Sequence, residues 1–464
     1  MARTTRRIAP PGSVAFTLLV FLAGCAQEQA YLAPTFAFKN AFASRQSGTP
    51  VLLENVAWWR GFKDPTLDAL IDRALQGNID MAIARERVAE ASANVQTVPA
   101  EGSVTTSASV NRTKVQGSAA QTESTATVGL SWLLDPFGQR REEIKAARAR
   151  VEVADAEVDA ARLLVLYNLC NAYIDLRYRQ RALQIRQSEI ASRRQTLALT
   201  RTLFDQQSAT RLDVVRTEAR LAEAEAAVPA ARAAIVTEKY RIATLLGEAP
   251  GTLNIDLDRN SKQPRSTMST SIGIPADLMR NRPDIRIAER LYYATLSDVA
   301  VARADLYPKL SLGGAISLAS ISGKGASEYY FGPSIVLPAL PTGSRMAVVN
   351  ARESRARQAN ASWKSTVLDA LFEVETGLLD YSASAEAVTK SRKSQRLYNE
   401  AVTLTRDLVR SGNATIPDLL DAEESTVDAD LTVAENMRQN ARNFVRLNIS
   451  LGAGNAEMTA PATQ

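Results

Sequence analysis

From Gln139 to Val228 the chain runs for 90 residues without a glycine or a proline. Those two residues end helices most readily. The run therefore reads as helix, and unbroken it would extend about 135 Å at 1.5 Å per residue. Its apolar residues recur every seven: Ile144, Val151, Val158 and Val165, then Leu176, Leu183, Ile190, Leu197 and Phe204, then Val214, Leu221, Val228, Ile235 and Ile242. A seven-residue repeat implies left-handed packing of one helix on another. The phase shifts near 172 and again near 207, so the stretch predicts two helices joined through Gln206-Gln207-Ser208-Ala209. Thr210 caps the second helix, and Asp213 sits three residues on at the reciprocal capping position.

The same construction returns 205 residues later. Leu199-Thr200-Arg201 recurs as Leu404-Thr405-Arg406, and Ala209, Thr210 and Asp213 recur as Ala414, Thr415 and Asp418. Leu246-Gly247 recurs as Leu451-Gly452, and Gly138 with Arg140 as Gly343 with Arg345. Upstream, Asp80 and Ala84 match Asp284 and Ala288 at an offset of 204. One offset held this long marks a duplication. The halves are roughly 63–247 and 272–452. Residues 248–271 form a linker rich in Ser and Thr, and 453–464 a tail. Each half predicts a helical segment (about 64–98 and 275–306), two strands, then a long helical hairpin (about 139–247 and 344–452). In the second hairpin Gly412 supplies the turn, Thr415 the cap, Pro417 sits in the first turn and Asp418 takes the reciprocal position.

The strand runs fall at about 102–113, 122–133, 309–321 and 329–338. In them Val104, Thr106, Ala108 and Val110, or Ala126, Val128, Leu130 and Trp132, alternate with polar or small residues. Polar, Gly- and Ser-rich loops (116–122 and 322–327) separate the strands of each pair. These runs have the length of a tilted membrane-crossing strand. Four strands cannot close a barrel, and open strand edges cannot exist in lipid. Strands that cross a membrane must then be pooled by several chains, and three chains would bring twelve.

Residues 1–24 read as an export signal. Arg3, Arg6 and Arg7 precede a short apolar stretch, Val14 to Leu22, that is too short to span a bilayer. It ends in Leu22-Ala23-Gly24-Cys25, which resembles a lipobox, so Cys25 is the expected first residue of a lipidated mature chain. Ala26 rather than Asp follows it, which by resemblance to the bacterial sorting rule points to the outer membrane. Residues 25–62 are then an N-terminal extended segment. Cleavage removes three arginines, leaving 52 basic against 50 acidic residues and a formal charge of +2 in place of +5. No basic face is left for nucleic acid. The 464-residue chain has no histidine and only two cysteines, which excludes histidine-dependent triads, His-containing zinc sites and disulfide frameworks. Cys170, in an apolar helical stretch, reads as a packed, inert thiol. No cofactor is implied.

Trp58-Trp59, Phe62, Asp64-Pro65, Leu67, Leu70-Ile71, Ala74-Leu75 and Asn78 open the first half. Arg282-Pro283-Asp284-Ile285, Ala288-Glu289, Ala304 and Tyr307-Pro308-Lys309-Leu310 open the second. With Gly138, Arg140 and the Ser411–Asp421 turn, this pattern resembles the outer-membrane factor family, the TolC/OprM-type channels, and within it the lipoprotein branch of RND efflux systems. The resemblance covers roughly 50–452. It implies a mainly α fold with a small membrane β-barrel: a homotrimer with a twelve-stranded barrel in the outer membrane and a twelve-helix periplasmic tunnel. It also implies no enzymatic activity. The implied partners are outer-membrane lipid, a periplasmic adaptor and an inner-membrane RND transporter. In TolC-like members a ring of aspartates narrows the periplasmic mouth. By resemblance Asp418, Asp421 and Asp213 fall on such positions, where three copies would raise some of the carboxylate pKa values. The family carries Gly in the first tip turn where this chain has Gln207, so a differently shaped first tip is expected. The rival readings are a type I secretion duct, which the lipobox disfavours, and a periplasmic adaptor lipoprotein, which would have one hairpin rather than two. A carboxylate-based hydrolase ranks last.

Overall fold

The computed structural model describes residues 35–37, 57–117, 119–258, 262–265, 281–321, 324–338 and 340–454. The signal at 1–24, Cys25 and the tail beyond 454 lie outside them. A 3-10 turn at Trp58–Phe62 precedes α1 (Pro65–Gly77) and α2 (Ile79–Gln96), then β1 (Gly102–Thr113) and β2 (Gln121–Leu134), then α3 (Gln139–Asp205) and α4 (Arg211–Leu245). After the linker come α5 (Pro283–Ala304), β3 (Lys309–Ile321), β4 (Lys324–Val336), α6 (Gly343–Arg410) and α7 (Ile416–Ser450). None of these helices is long and apolar enough to cross a membrane.

The described residues fold as two compact units, one drawn mainly from 87–154 and 287–364, the other from 57–86, 155–258, 262–265, 281–286 and 365–454. Each takes pieces from both halves of the sequence, so the repeats and the compact units cut across each other.

In the first unit the four strands form one antiparallel sheet in the order β1-β2-β3-β4, leaving an open edge on β1 and on β4. Register puts Val104 opposite Leu130, Leu130 opposite Gly314 and Gly314 opposite Phe331. One row along the strands, Thr106, Val128, Ile316 and Tyr329 line up in the same way. Because side chains alternate across a sheet, these residues share one face. The opposite face carries Thr105, Ser107, Thr127, Ser317 and Glu328, with Thr127 and Ser317 hydroxyls 2.9 Å apart. Gly314 leaves room for an aromatic ring: a Cβ there would sit 2.9 Å from Phe331 Cδ2. The repeated arginines tie the strand pairs to the helices. Arg140 Nε donates to the Pro99 carbonyl at 2.6 Å, and Arg345 Nη1 to the Asp305 carbonyl at 2.5 Å.

The second unit is helical, with its core around Trp58, Leu70, Leu166, Leu169, Tyr173 and Phe444. Trp58 stacks edge-on against Trp59 and Phe444, and its indole N–H donates to the Ala453 carbonyl at 3.1 Å. Cys170 is fully buried, and its thiol pKa is pushed up by burial and then by the charge of Asp68. Gly247 and Gly452, 205 residues apart, both adopt positive φ (79° and 73°) and close the second helix of their hairpins. A side chain at either would collide with backbone: with the Gly77 carbonyl at the first, with the Asn281 carbonyl at the second.

Two expectations change. The segment expected as one helix at 64–98 breaks at Asn78, whose extended backbone (φ −66°, ψ 132°) stops α1. Its side chain accepts from the Met81 N–H and donates to the Leu245 carbonyl at 2.7 Å, capping α2 and tying it to α4. Helix α3 runs unbroken through the phase shift near 172 and ends at Asp205, at the expected turn. Strand β4 begins at Lys324, not 329, and ends at Val336, not 338. Ile321 pairs with Lys324, so the ladder extends to the ends of both strands. Gly325, Ala326 and Ser327 have too little apolar character to mark that stretch as strand.

Trp58→Ala should lower the stability of the helical unit by about 3–5 kcal/mol, since it empties a large buried site. Thermal unfolding followed by helical circular dichroism in detergent would measure the loss.

Candidate functional site at the paired helical tips

Both hairpin tips belong to the helical unit and are built alike. At the first, Gln207 adopts φ 62°. Its N–H donates to the Phe204 carbonyl at 2.9 Å, and the Ser208 N–H to the Leu203 carbonyl at 2.8 Å. At the second, Gly412 adopts φ 75°, its N–H reaches the Val409 carbonyl at 3.1 Å, and the Asn413 N–H reaches Leu408 at 2.8 Å. The expected difference in shape between the tips is therefore absent. The left-handed backbone costs a residue with a Cβ about 1 kcal/mol, and the two closing hydrogen bonds hold Gln207 there with its side chain exposed.

The caps match as closely. Thr210 donates to Asp213 Oδ2 from its backbone (2.9 Å) and its hydroxyl (2.6 Å), and the Asp213 N–H returns a bond to the Thr210 hydroxyl at 3.2 Å. Thr415 and Asp418 repeat this at 2.8, 2.6 and 3.3 Å. These hydrogen bonds, the threonine hydroxyl first, hold both aspartates below the usual carboxylate pKa. Within one chain the shift thus runs opposite to the rise expected from a ring of copies. Asp421 lies three residues beyond Asp418 on α7, and both are exposed on adjacent turns of one helix.

Sequence reasoning missed what joins the tips. Just above the second tip, Glu423 of α7 is buried and receives groups from the other hairpin. The Ser192 and Thr196 hydroxyls of α3 each donate to its Oε1 at 2.7 Å, and Arg193 Nη1 stands 3.6 Å from its Oε2. From its own hairpin, Arg406 Nη2 donates to the same Oε1 at 3.0 Å. Arg193 is itself buried and reaches the Leu420 carbonyl at 3.4 Å. Below this cluster Leu199 and Leu203 of α3 pack against Val402, Val409, Ile416, Leu419 and Leu420. The signal was present in the sequence: Arg201 and Glu218 stand 205 residues before Arg406 and Glu423. They form the corresponding pair at 2.8 Å in the first hairpin, with side chains 59% and 38% exposed against 26% and 4% in the second. One copy of a duplicated pair stayed on the surface, and the other became the buried link between hairpins.

Glu423→Ala should cost about 2–4 kcal/mol, because it removes one of the two carboxylates beside buried Arg193 (Glu189 remains at 3.8 Å) and the acceptor of Ser192 and Thr196, whereas Glu218→Ala, in the surface pair, should cost far less. Thermal unfolding of the two variants side by side would test the contrast. The capping aspartates have lowered folded pKa values. Their contribution is complete above the ordinary carboxylate range and is lost as pH falls through the folded values, below about pH 4. Amide-exchange protection at the tips, corrected for intrinsic rates, should fall there, and should lose that pH dependence in Asp213→Asn/Asp418→Asn.

With the hairpins, tips and sheet in place, the comparisons are specific. The family described as outer membrane efflux protein matches the chain twice, over residues 70–248 and 274–453. The chain is 33% identical over 452 residues to nodulation protein T of Rhizobium leguminosarum bv. trifolii, covering 95% of this chain and 96% of that protein. It is 26% identical over 410 residues to the solvent efflux pump outer membrane protein SrpC of Pseudomonas putida, covering 85% and 86%. The solved outer-membrane channel OprN matches with a TM-score of 0.81 and 31% identity, over 91% of this chain and 99% of that one. The chain belongs to the outer membrane efflux protein family.

Proposed function

We propose that this protein is the passive outer-membrane exit duct of a tripartite efflux pump, assembled from three copies. The single observation that carries the proposal is the sheet. It has an apolar face running across all four strands (Val104, Val128, Leu130, Ile316, Phe331), a polar opposite face and two open edges. Such a sheet suits lipid outside and water inside, and lipid tolerates it only when its edges are closed. Three copies close a twelve-stranded barrel, and their six hairpins supply twelve helices for the periplasmic tunnel. Cys25 carries the lipid that anchors the chain to the outer membrane. The tips around Gly412, Thr415 and Thr210 meet a periplasmic adaptor and, through it, an inner-membrane RND transporter. That transporter provides the energy, and the duct needs no catalytic residue.

The tips also hold the gate. Copies of Asp421, Asp418 and Asp213 around one axis repel each other and attract cations to the mouth. The Glu423 cluster keeps the two hairpins of each chain together until the tips part. The names of the relatives speak of solvent, cation and pyoverdine export in those proteins. They fit a wide polar duct whose cargo is chosen by the pump.

In planar bilayers the wild-type protein should show a low resting conductance, and Asp418→Ala/Asp421→Ala should raise it and weaken its cation preference. An unchanged resting conductance would remove the aspartates from the gate. Native mass measurement in detergent should give three chains per particle, and a monomer would sink the duct itself.

A further inference from the structure

One cleft of the helical unit gathers an excess of positive charge among the described residues. Its volume is about 980 Å³, and six cations line it: Lys63 after the 3-10 turn, Arg181 of α3, Lys262 and Arg265 of the linker, and Arg392 and Arg396 of α6. Two carboxylates share the lining, Asp64 and Asp430, which leaves four positive charges in excess, and the hydrogen bonds described for both come from neutral groups. Asp64 accepts from the Thr66 N–H at 3.0 Å and from the Tyr173 hydroxyl. Asp430 accepts from the Gln395 side-chain amide at 2.7 Å. Among the described residues none of the six cations forms an ion pair, in a chain whose arginines pair freely elsewhere: Arg282 with Asp284 at 2.6 Å, Arg286 with Asp159 at 2.7 Å, Arg446 with Asp380 at 3.0 Å. Arg392 is half-buried, and the acceptor it reaches is the Met437 sulfur at 3.6 Å, a weak one. Burial first, then the like charge of Arg265, lowers its pKa.

Charges of one sign on the walls of a cleft focus their field into it and concentrate counter-ions there. Four of these six are guanidinium groups, which can take up carboxylate and phosphate in two-point hydrogen bonds. A volume this size accommodates more than a single small ion. We propose that the cleft is a binding site for a multivalent anion carrying phosphate or carboxylate groups. The site rests on the cleft alone and stands independently of the duct assembly.

The test is calorimetric titration of the full-length protein in detergent with sodium tripolyphosphate and, separately, with sodium citrate. The expected result is saturable binding of one anion per chain that weakens as salt is added. Arg392→Gln/Arg396→Gln should bind about tenfold more weakly or worse. A control, Arg194→Gln/Arg446→Gln, removes two cations that are paired elsewhere and should bind as wild type. Arg265→Gln alone, with circular dichroism on every variant, separates loss of the site from loss of the fold. Binding of tripolyphosphate only assigns a phosphate-bearing ligand, and binding of citrate as well assigns a carboxylate-bearing one. No saturable binding of either anion, or equal binding by Arg392→Gln/Arg396→Gln and wild type, would overturn the proposal.

Discussion

A strand at the edge of a sheet leaves half of its backbone hydrogen bonds without partners, and β1 and β4 each present such an edge. In water that is tolerable, but beside an apolar sheet face it is a demand for more strands. The rest of the design is consistent with that demand. Strands of 12 to 14 residues carry apolar side chains on one face and hydroxyls or glycine on the other. The helices, which satisfy their own backbones, are amphipathic rather than lipophilic. Both features suit the proposed assembly of several copies of the chain.

Within the helical unit the decisive local device is the left-handed turn that closes each helix of the two hairpins. It occurs four times, at Gln207, Gly247, Gly412 and Gly452. Three of the four are glycine, as steric cost dictates. The fourth shows that hydrogen bonding from both flanks can hold a glutamine in the same conformation. Duplication therefore kept backbone geometry more strictly than residue identity. It did the reverse with Arg201–Glu218 and Arg406–Glu423, where the same residues serve on the surface in one copy and in the interior in the other.

Much of this was legible in the sequence. Heptads and the absence of Gly and Pro located α3, and Thr210 with Asp213 and Thr415 with Asp418 marked the caps, because capping is a local contest that four residues decide. Alternation found the strand centres and missed the first turns of β4, where Gly325 and Ala326 carry almost no hydrophobic signal. The break at Asn78 escaped because its cause lies far along the chain, in a hydrogen bond to the Leu245 carbonyl. The Glu423 cluster escaped for the same reason: a buried charge in a helix is recognisable only from what another helix places against it. The cationic cleft draws its walls from five separate stretches of chain, and no window of sequence contains it.

The hydrogen bond from Trp58 to the Ala453 carbonyl joins residues 395 positions apart. It sits in the same core as α1, the middle of α3 and the end of α7. A core assembled from both ends of the chain cannot form while the later residues are still being delivered. Contacts of such long range carry a large loop-closure cost and come late in folding. A chain that is exported in order must therefore travel without its native core, and its first half gains little from arriving early. Truncation just before Ala453 would remove only a few residues, yet it would take away the acceptor of the Trp58 indole and leave the packing on Phe444 alone to hold that ring to α7.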